Sequence, residues 1–467
     1  MSHGATGRLR AAIVGSGPSG FYAAEALLKL RPDVEISMFE RLPVPYGLVR
    51  SGVAPDHPKL KQAIKVFEKI AASPAFRFFG NVCVGQDIST AEILGTHHFL
   101  IIACGAELDR RLDIPGEDLA GSHSATEFVG WYNGHPDYRD REFDLSQPSV
   151  AIIGQGNVAL DVARILAKPV RELAHTDMAN HALKALASSR VTDIHVFGRR
   201  GPAQARFTPT VLGEFLEIDG CTPLVEPQQL ALSEQCQREI ADPRNSNSAM
   251  NIARLRRFAD VPGGGRVRCW FHFFTAPLEL IGNRSVKALR LTKTTLKGEA
   301  FQQTAEPAGA PFTFPCGLVI RAVGHRGAPV PGLPFDHDKG IIPNRDGRVL
   351  GDKEAPLPGI YVTGWIKRGA TGIIGNNRAD SLATIEAIKA DLPLLECCEK
   401  RGADTIEAML ASRQVRSVNF SGWQRIDQAE VTNGSVLGKP REKITRIGHM
   451  LAVAQAEAAS TAASGIA

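Results

Sequence analysis

Two glycine-rich turns, each set between an apolar run and a helical stretch, constrain this chain more than any other feature. The first reads AIVGSGPSG from Ala12, with Gly15, Gly17 and Gly20 in GxGxxG register, Pro18 and Ser19 in the turn, and Glu40 twenty residues past the last glycine. The second reads VAIIGQGNVALD from Val150, with Gly154, Gly156 and Ala159 in GxGxxA register and Arg199 and Arg200 closing the next strand. Glycine fills 45 of 467 positions, so a bare GxGxxG would arise about 0.4 times by chance. The strand before and the helix after each turn are what make these two informative.

Each part of such a turn has a physical task. The first glycine permits the tight bend, the second lets backbone approach a pyrophosphate, and the third lets helix pack on strand. The anion then meets free N–H groups at a helix N-terminus. In the first copy Arg10 to Val14 supplies the strand and Phe21 to Leu30 the apolar helix face, and a second strand, Val34 to Phe39, ends on Glu40. A carboxylate there suits both ribose hydroxyls of FAD or NAD. In the second copy Ser149 to Ile153 is the strand and Asn157 to Leu166 the helix; after a helical stretch around Met178 to Leu186, Asp193 to Phe197 ends on Gly198, Arg199 and Arg200. With two guanidiniums in place of an acid, that edge favours a 2′-phosphate, hence NADP.

A chain of this length with 43% hydrophobic and 22% charged residues is expected to form two or three domains. No run of about 18 apolar residues suggests a membrane span, and a net charge of +5 gives no case for nucleic acid. Eight cysteines occur without a CxxC. That argues against a thioredoxin-reductase type redox pair and the usual iron–sulfur or zinc knuckles, and points to reduced thiols; the adjacent Cys397 and Cys398 read as incidental, and no metal site is expected. Only Met1 to Leu9 precede the first strand, so a cytoplasmic, bacterial location is expected, and Leu451 to Ala467 reads as a fraying helix or tail.

The threading between motifs suggests an insertion. A strand from His98 to Ala103 leads through Cys104 and Gly105 to a turn at Ile114–Gly116, and a similar strand and turn recur from Gly317 through Gly324 to Gly332. Residues 1–108 and 325–467 are expected to form one discontinuous domain, with 109–324 inserted into it. A third glycine-rich stretch, GIYVTGWIKRGATGIIGNNRADS from Gly359, places a strand before Gly364 and a helix from near Gly372. If it returns to the first domain, its helix N-terminus can stabilise charge on a reduced flavin.

Four segments together carry a family resemblance: PYGLVRSGVAPDHP from Pro45, GQGNVALDVARIL from Gly154, RRGP from Arg199 and GWIKRG from Gly364. From about Arg10 to Lys443, ending on Trp423, Ile426, Asp427 and Gly438, the chain resembles adrenodoxin-reductase-type ferredoxin–NADP reductases. The resemblance implies an α/β protein with two Rossmann-like domains, the NADP domain inserted into the FAD domain. Gly15, Gly17, Pro18, Ser19, Gly20, Glu40, Arg41, Gly47, Leu48, Val84 and Gly105 would then hold FAD, with Gly364, Trp365, Gly372, Ile373 and Ile374 bordering its ring. Gly154, Gln155, Gly156, Asn157, Val158, Arg199 and Arg200 would hold NADPH. His57 and Glu214 fall where the family keeps polar groups near the nicotinamide, for orientation and proton handling. Three positions depart from the family pattern: Val211 where a Glu is usual, Ala370 for a Pro and Asn376 for a Thr. The first removes an NADP contact and the others adjoin the flavin loop.

The implied activity is hydride transfer from NADPH to FAD, followed by single-electron release to a small acidic ferredoxin. Such a partner would dock transiently on basic surface, for which Arg238, Arg244, Arg254, Arg256 and Arg257, with Lys29 and Arg31, are candidates. Two other functions compete. An electron-feeding subunit or quinone reductase would need cysteine clusters or a large partner, and an NADP sensor would need only one nucleotide site.

Overall fold

The computed structural model describes residues 8–395 and 399–456, so Cys397, Cys398 and the end of the tail lie outside the described residues. Two compact units emerge. One gathers the chain up to Val53, His57–Leu108 and everything from His325 onward; the other comprises Ala54–Asp56 and Asp109–Gly324.

The first unit is built on a seven-stranded sheet. Arg10–Val14 lies inside it, parallel to Glu35–Glu40 on one side and to the central strand Phe99–Ile102 on the other. Phe76–Gly80 extends the first side and Pro356–Val362 the second, both parallel, and the hairpin Asn344–Arg345 with Arg348–Leu350 closes the edge. Strand direction of progression reverses at Arg10–Val14, so the crevice beyond its carboxyl end is a topological switch point, where open α/β sheets bind ligands. Helix Pro18–Leu30 begins with proline at its first position, where a missing N–H costs nothing. Its face of Phe21, Ala24 and Leu27 is buried, and Phe21 stacks on Phe67 at 4.8 Å. The C-terminal pattern also finds its use here. Trp423 and Ile426 of helix Phe420–Val436 are buried, and Glu430 of the same helix pairs with Arg50 at 2.5 Å and accepts the N–H of Ile444 at 2.9 Å.

The second unit has an all-parallel six-stranded sheet ordered Ser122–Ser124, Leu318–Arg321, Ser149–Ile153, Asp193–Phe197, Val267–His272 and Cys221–Val225. Helices Ala125–Tyr132, Asn157–Ala167 and Asn180–Ala187 contribute Phe128, Leu160 and Leu183 to the core of one face. On the other face an antiparallel sheet formed by Thr275–Gly282, Val286–Lys297, Thr304–Pro307 and Phe312–Pro315 brings Leu280, Leu289 and Leu291 against Ile153 and Phe197. Among the described residues no helix is long and apolar enough to cross a membrane.

One buried side chain in the first unit makes stability depend on pH. His97 is fully buried, its Nε2 2.8 Å from the Ser37 hydroxyl and its Nδ1 2.9 Å from that of Thr96. Burial lowers its pKa from 6.5 to about 4. Between those values the unfolded chain binds a proton that the folded chain refuses, so stability is lost as pH falls from about 6.5 to about 4. The full effect is about 3 kcal/mol. Urea midpoints across this range should fall more steeply for the native protein than for His97→Gln. Identical slopes would mean that His97 is not the cause.

Candidate functional site

In the first unit, strand Arg10–Val14 delivers the chain to Gly15, whose φ of +106° is left-handed backbone that side chains rarely tolerate; a Cβ there would stand 2.4 Å from the Ala103 carbonyl oxygen. Gly17 differs in kind. Its backbone is extended, with φ −78° and ψ −176°, and no protein atom lies within 4 Å of where a Cβ would be. The space in front of it is therefore open, and no side chain caps the helix that follows. Uncapped N–H groups facing an open cradle make an anion site. Pro18 and Ser19 open the helix, and a Cβ on Gly20 would stand 2.1 Å from the Gly15 carbonyl, so the third glycine serves close packing.

Glu40 ends the neighbouring strand at the same edge. Its carboxylate accepts the Ser16 N–H at 3.2 Å, the Ser16 hydroxyl at 2.7 Å and the Leu42 N–H at 3.1 Å, which fixes its orientation. The adjacent Arg41 pairs with Glu107 at 3.4 Å. Gly47, with φ +50°, precedes the short helix Leu48–Ser51, and Leu48 is 41% exposed. Val84 bridges to Ile88, and Gly105 has open space at its Cβ position. His57 belongs to this unit, partly exposed, with its carbonyl accepting the Leu60 N–H at 3.1 Å.

The third glycine-rich stretch returns to this unit, but its long helix starts at Asn376 rather than near Gly372. Gly372 has φ +82°, and the Asn376 side chain accepts the Ile373 N–H at 2.8 Å, which keeps 372–374 as a loop. Asn376 is thus the residue that shapes the loop, and Ile373 is 65% exposed upon it. Trp365 donates its indole N–H to the Thr371 carbonyl at 3.0 Å and lies 5.6 Å from the His325 ring. Sequence reasoning missed the residues that hold this assembly. Asp380 accepts the Gly364 N–H at 2.5 Å and pairs with Lys367 at 3.0 Å; Asn377 Oδ1 accepts from Ser19 at 3.2 Å and from Arg368 at 2.8 Å. Their only signal was a polar NNRAD run one turn into a helix.

The second unit repeats the turn. Gly154 has φ +143°, with a Cβ position 2.2 Å from the Ala322 carbonyl oxygen, while Gly156 is extended and open in front, like Gly17. The Gln155 side chain crosses Gly198, where a Cβ would stand 1.7 Å from it, and donates to the His272 carbonyl at 3.3 Å. Asn157 accepts the Thr208 N–H at 2.8 Å, and Val158 packs on the core. The carbonyls of Arg199 and Arg200 are pinned by the Thr294 hydroxyl at 2.6 Å and the Phe274 N–H at 3.1 Å. Val211 lies in Pro209–Gly213, packed against the core.

Glu214 does not stand alone. It pairs at 2.9 Å with Arg164, a fully buried guanidinium that also meets Asp161 at 2.8 Å and Asp56. Lys168 joins Asp56 at 2.7 Å. Burial pushes the Asp56 carboxyl up, but Arg164 and Lys168 outweigh it and hold the pKa below its ordinary value. The proposed basic patch is partly neutralised: Arg238 pairs with Glu234 and Arg244 with Asp242, and Lys29 and Arg31 have their own acids in Glu25 and Asp33. Arg256 and Arg257 are exposed on Ser246–Phe258.

Known proteins match this arrangement. Residues 9–195 match the family model described as pyridine nucleotide-disulphide oxidoreductase. The chain is 44% identical to the NADPH-ferredoxin reductase FprA of Mycobacterium leprae, over 95% of its own length and 97% of that protein's. It is 41% identical to the human mitochondrial NADPH:adrenodoxin oxidoreductase, over 94% of this chain and 90% of that one. The structure of Mycobacterium tuberculosis FprA in complex with NADPH superposes with a TM-score of 0.91 at 42% identity, covering 96% of this chain and 100% of the other.

Proposed function

Since the chain belongs to the family of NADPH–ferredoxin and NADPH:adrenodoxin reductases, we propose that it holds FAD on its first unit and NADPH on its second, and works as a ferredoxin–NADP(+) reductase. Its electron acceptor is a small acidic iron–sulfur protein of the ferredoxin type, docking transiently. One observation carries the reading. Two near-identical turns end their following strands differently, on a carboxylate at Glu40 and on the guanidiniums of Arg199 and Arg200.

The open cradles fit two pyrophosphates. Bare backbone at Gly17 and Gly156 lets N–H groups at the two helix N-termini reach the phosphate oxygens. Glu40, already oriented by Ser16 and Leu42, accepts from the flavin-side ribose. Arg199 and Arg200 grip the 2′-phosphate that NADH lacks. FAD supplies the chemistry that turns a two-electron hydride donor into a one-electron source. The protein's task around it is positioning: the loop 372–374, held in shape by the Asn376 side chain, and Trp365 would border the ring. His57 and Glu214 are the polar groups that would orient the nicotinamide, and Arg164 anchors Glu214 through the 2.9 Å pair.

The purified protein should be yellow, and without oxygen it should bleach at much lower NADPH than NADH concentration. Folded protein that never binds flavin would overturn the reading. Replacing Arg199 and Arg200 together with alanine removes two charge-assisted contacts, about 3 kcal/mol in all, or roughly a hundredfold in kcat/KM. The loss should fall on NADPH. An equal loss with NADH would show that the pair does not read the 2′-phosphate.

A further inference from the structure

A third guanidinium belongs to the same corner of the second unit. After Arg200 the chain makes the turn Pro202–Gln204 and comes back to the fingerprint, where Arg206 bridges to Gly156 and donates its N–H to the Gln155 carbonyl at 2.9 Å. Two residues on, the Thr208 N–H donates to Asn157 at 2.8 Å. The backbone on which Arg206 sits is therefore fastened to the nucleotide turn, while its side chain remains exposed.

Arg206 and Arg200 line one cavity of about 360 Å³, together with Gln204, Asn247 and Phe301. The Arg200 guanidinium is held below its ordinary range by burial first, then by the charges of Arg206 and Arg199, with Glu239 opposing. Glu239 is the one carboxylate in that wall, and it is occupied by the Gln204 amide at 2.7 Å and the Phe301 N–H at 2.7 Å. Several other surface arginines of the unit find acids: Arg171 with Asp219, Arg268 with Asp193, Arg290 with Glu279. No such pair forms at Arg199, Arg200 or Arg206 among the described residues. Three like charges gathered beside a helix N-terminus repel one another unless an anion joins them.

We propose that Arg206 is a third phosphate-binding residue for the dinucleotide, one that sharpens selection of the 2′-phosphorylated adenosine half over its unphosphorylated counterpart. The proposal rests on the reading of Arg199 and Arg200 given above.

The test compares the native holoenzyme with Arg206→Ala and Arg206→Lys, using adenosine 2′,5′-bisphosphate and 5′-AMP as calorimetric probes. The ratio of their affinities should fall about tenfold in Arg206→Ala, the size of one charge-assisted contact, and recover in part in Arg206→Lys. The NADPH-to-NADH ratio of kcat/KM should follow it. Melting temperatures check that the variants are folded. An unchanged affinity ratio in Arg206→Ala, or an equal loss for both probes, overturns the proposal. Failure of the native enzyme itself to prefer the bisphosphate would instead overturn the NADP reading, and the two failures are told apart by that control.

Discussion

Gly17→Ala is expected to yield a folded protein that cannot keep flavin. The native backbone at this residue is extended, with φ −78° and ψ −176°, so alanine fits without strain. Nothing in the protein lies within 4 Å of the new methyl group. Its only collision is with whatever occupies the cradle, and backbone must approach a pyrophosphate to hydrogen-bond distance. Flavin should be lost on gel filtration, with affinity lowered at least about a hundredfold, equivalent to roughly 2.7 kcal/mol. The melting temperature should match that of native protein stripped of flavin. Retention of a full flavin absorption band would place the pyrophosphate elsewhere. Gly15 is the contrasting position: at φ +106°, with Ala103 2.4 Å from a new Cβ, any side chain damages the fold as well as the site.

Arg164→Ala should produce the largest loss of stability in the second unit. The side chain has no exposed surface and answers Asp56, Asp161 and Glu214 together. Removing it leaves three half-buried carboxylates around an empty, fully buried position with too little positive charge, since Lys168 reaches only Asp56 among them. Breaking a buried ion pair in this way costs about 3–5 kcal/mol. The sign with pH follows from the depressed Asp56 pKa. Its stabilisation is present above the unfolded value near 3.8 and lost below it; once Arg164 is gone the carboxyl pKa rises, so the deficit should be greatest at neutral pH and shrink on acidification. Denaturant titrations at pH 7.5 and 5 would measure it. A loss under about 1 kcal/mol, typical of exposed pairs, would show that the network is not structural.

What the sequence made legible is local. Both strand–turn–helix units could be found because apolar run, turn glycines and amphipathic helix follow one another without interruption, and the strand-ending residues Glu40, Arg199 and Arg200 lie on the next strand in order. The four-residue spacing of Glu25 and Lys29 also encodes an ion pair, which takes Lys29 out of the docking surface offered above. Other features depend on contacts that spacing does not encode. Arg164 meets Asp56 across 108 residues and Ser19 meets Asn377 across 358. The antiparallel sheet of Thr275–Pro315 covers the nucleotide-binding sheet of its unit, and its alternation gives no sign of which face it will cover. At Gly372 the misplaced helix start has a specific cause: the positive φ and the Asn376 side chain delay the first turn by four residues.

The order of the strands has a consequence for biosynthesis. Phe99–Ile102 is buried throughout, yet its parallel neighbour on one side, Pro356–Val362, is made roughly 250 residues later, a delay of about 10–50 s at ordinary rates of chain elongation. During that time the ribosome carries an N-terminal fragment with the strand FLII exposed along an unsatisfied edge. The second unit, contiguous but for Ala54–Asp56, has nearly all of its own strands before the first can close. On the function proposed above, flavin capture is a late event in the life of each chain, and a nascent protein stalled near residue 330 would carry a second unit with all its strands made and a first unit with an aggregation-prone edge.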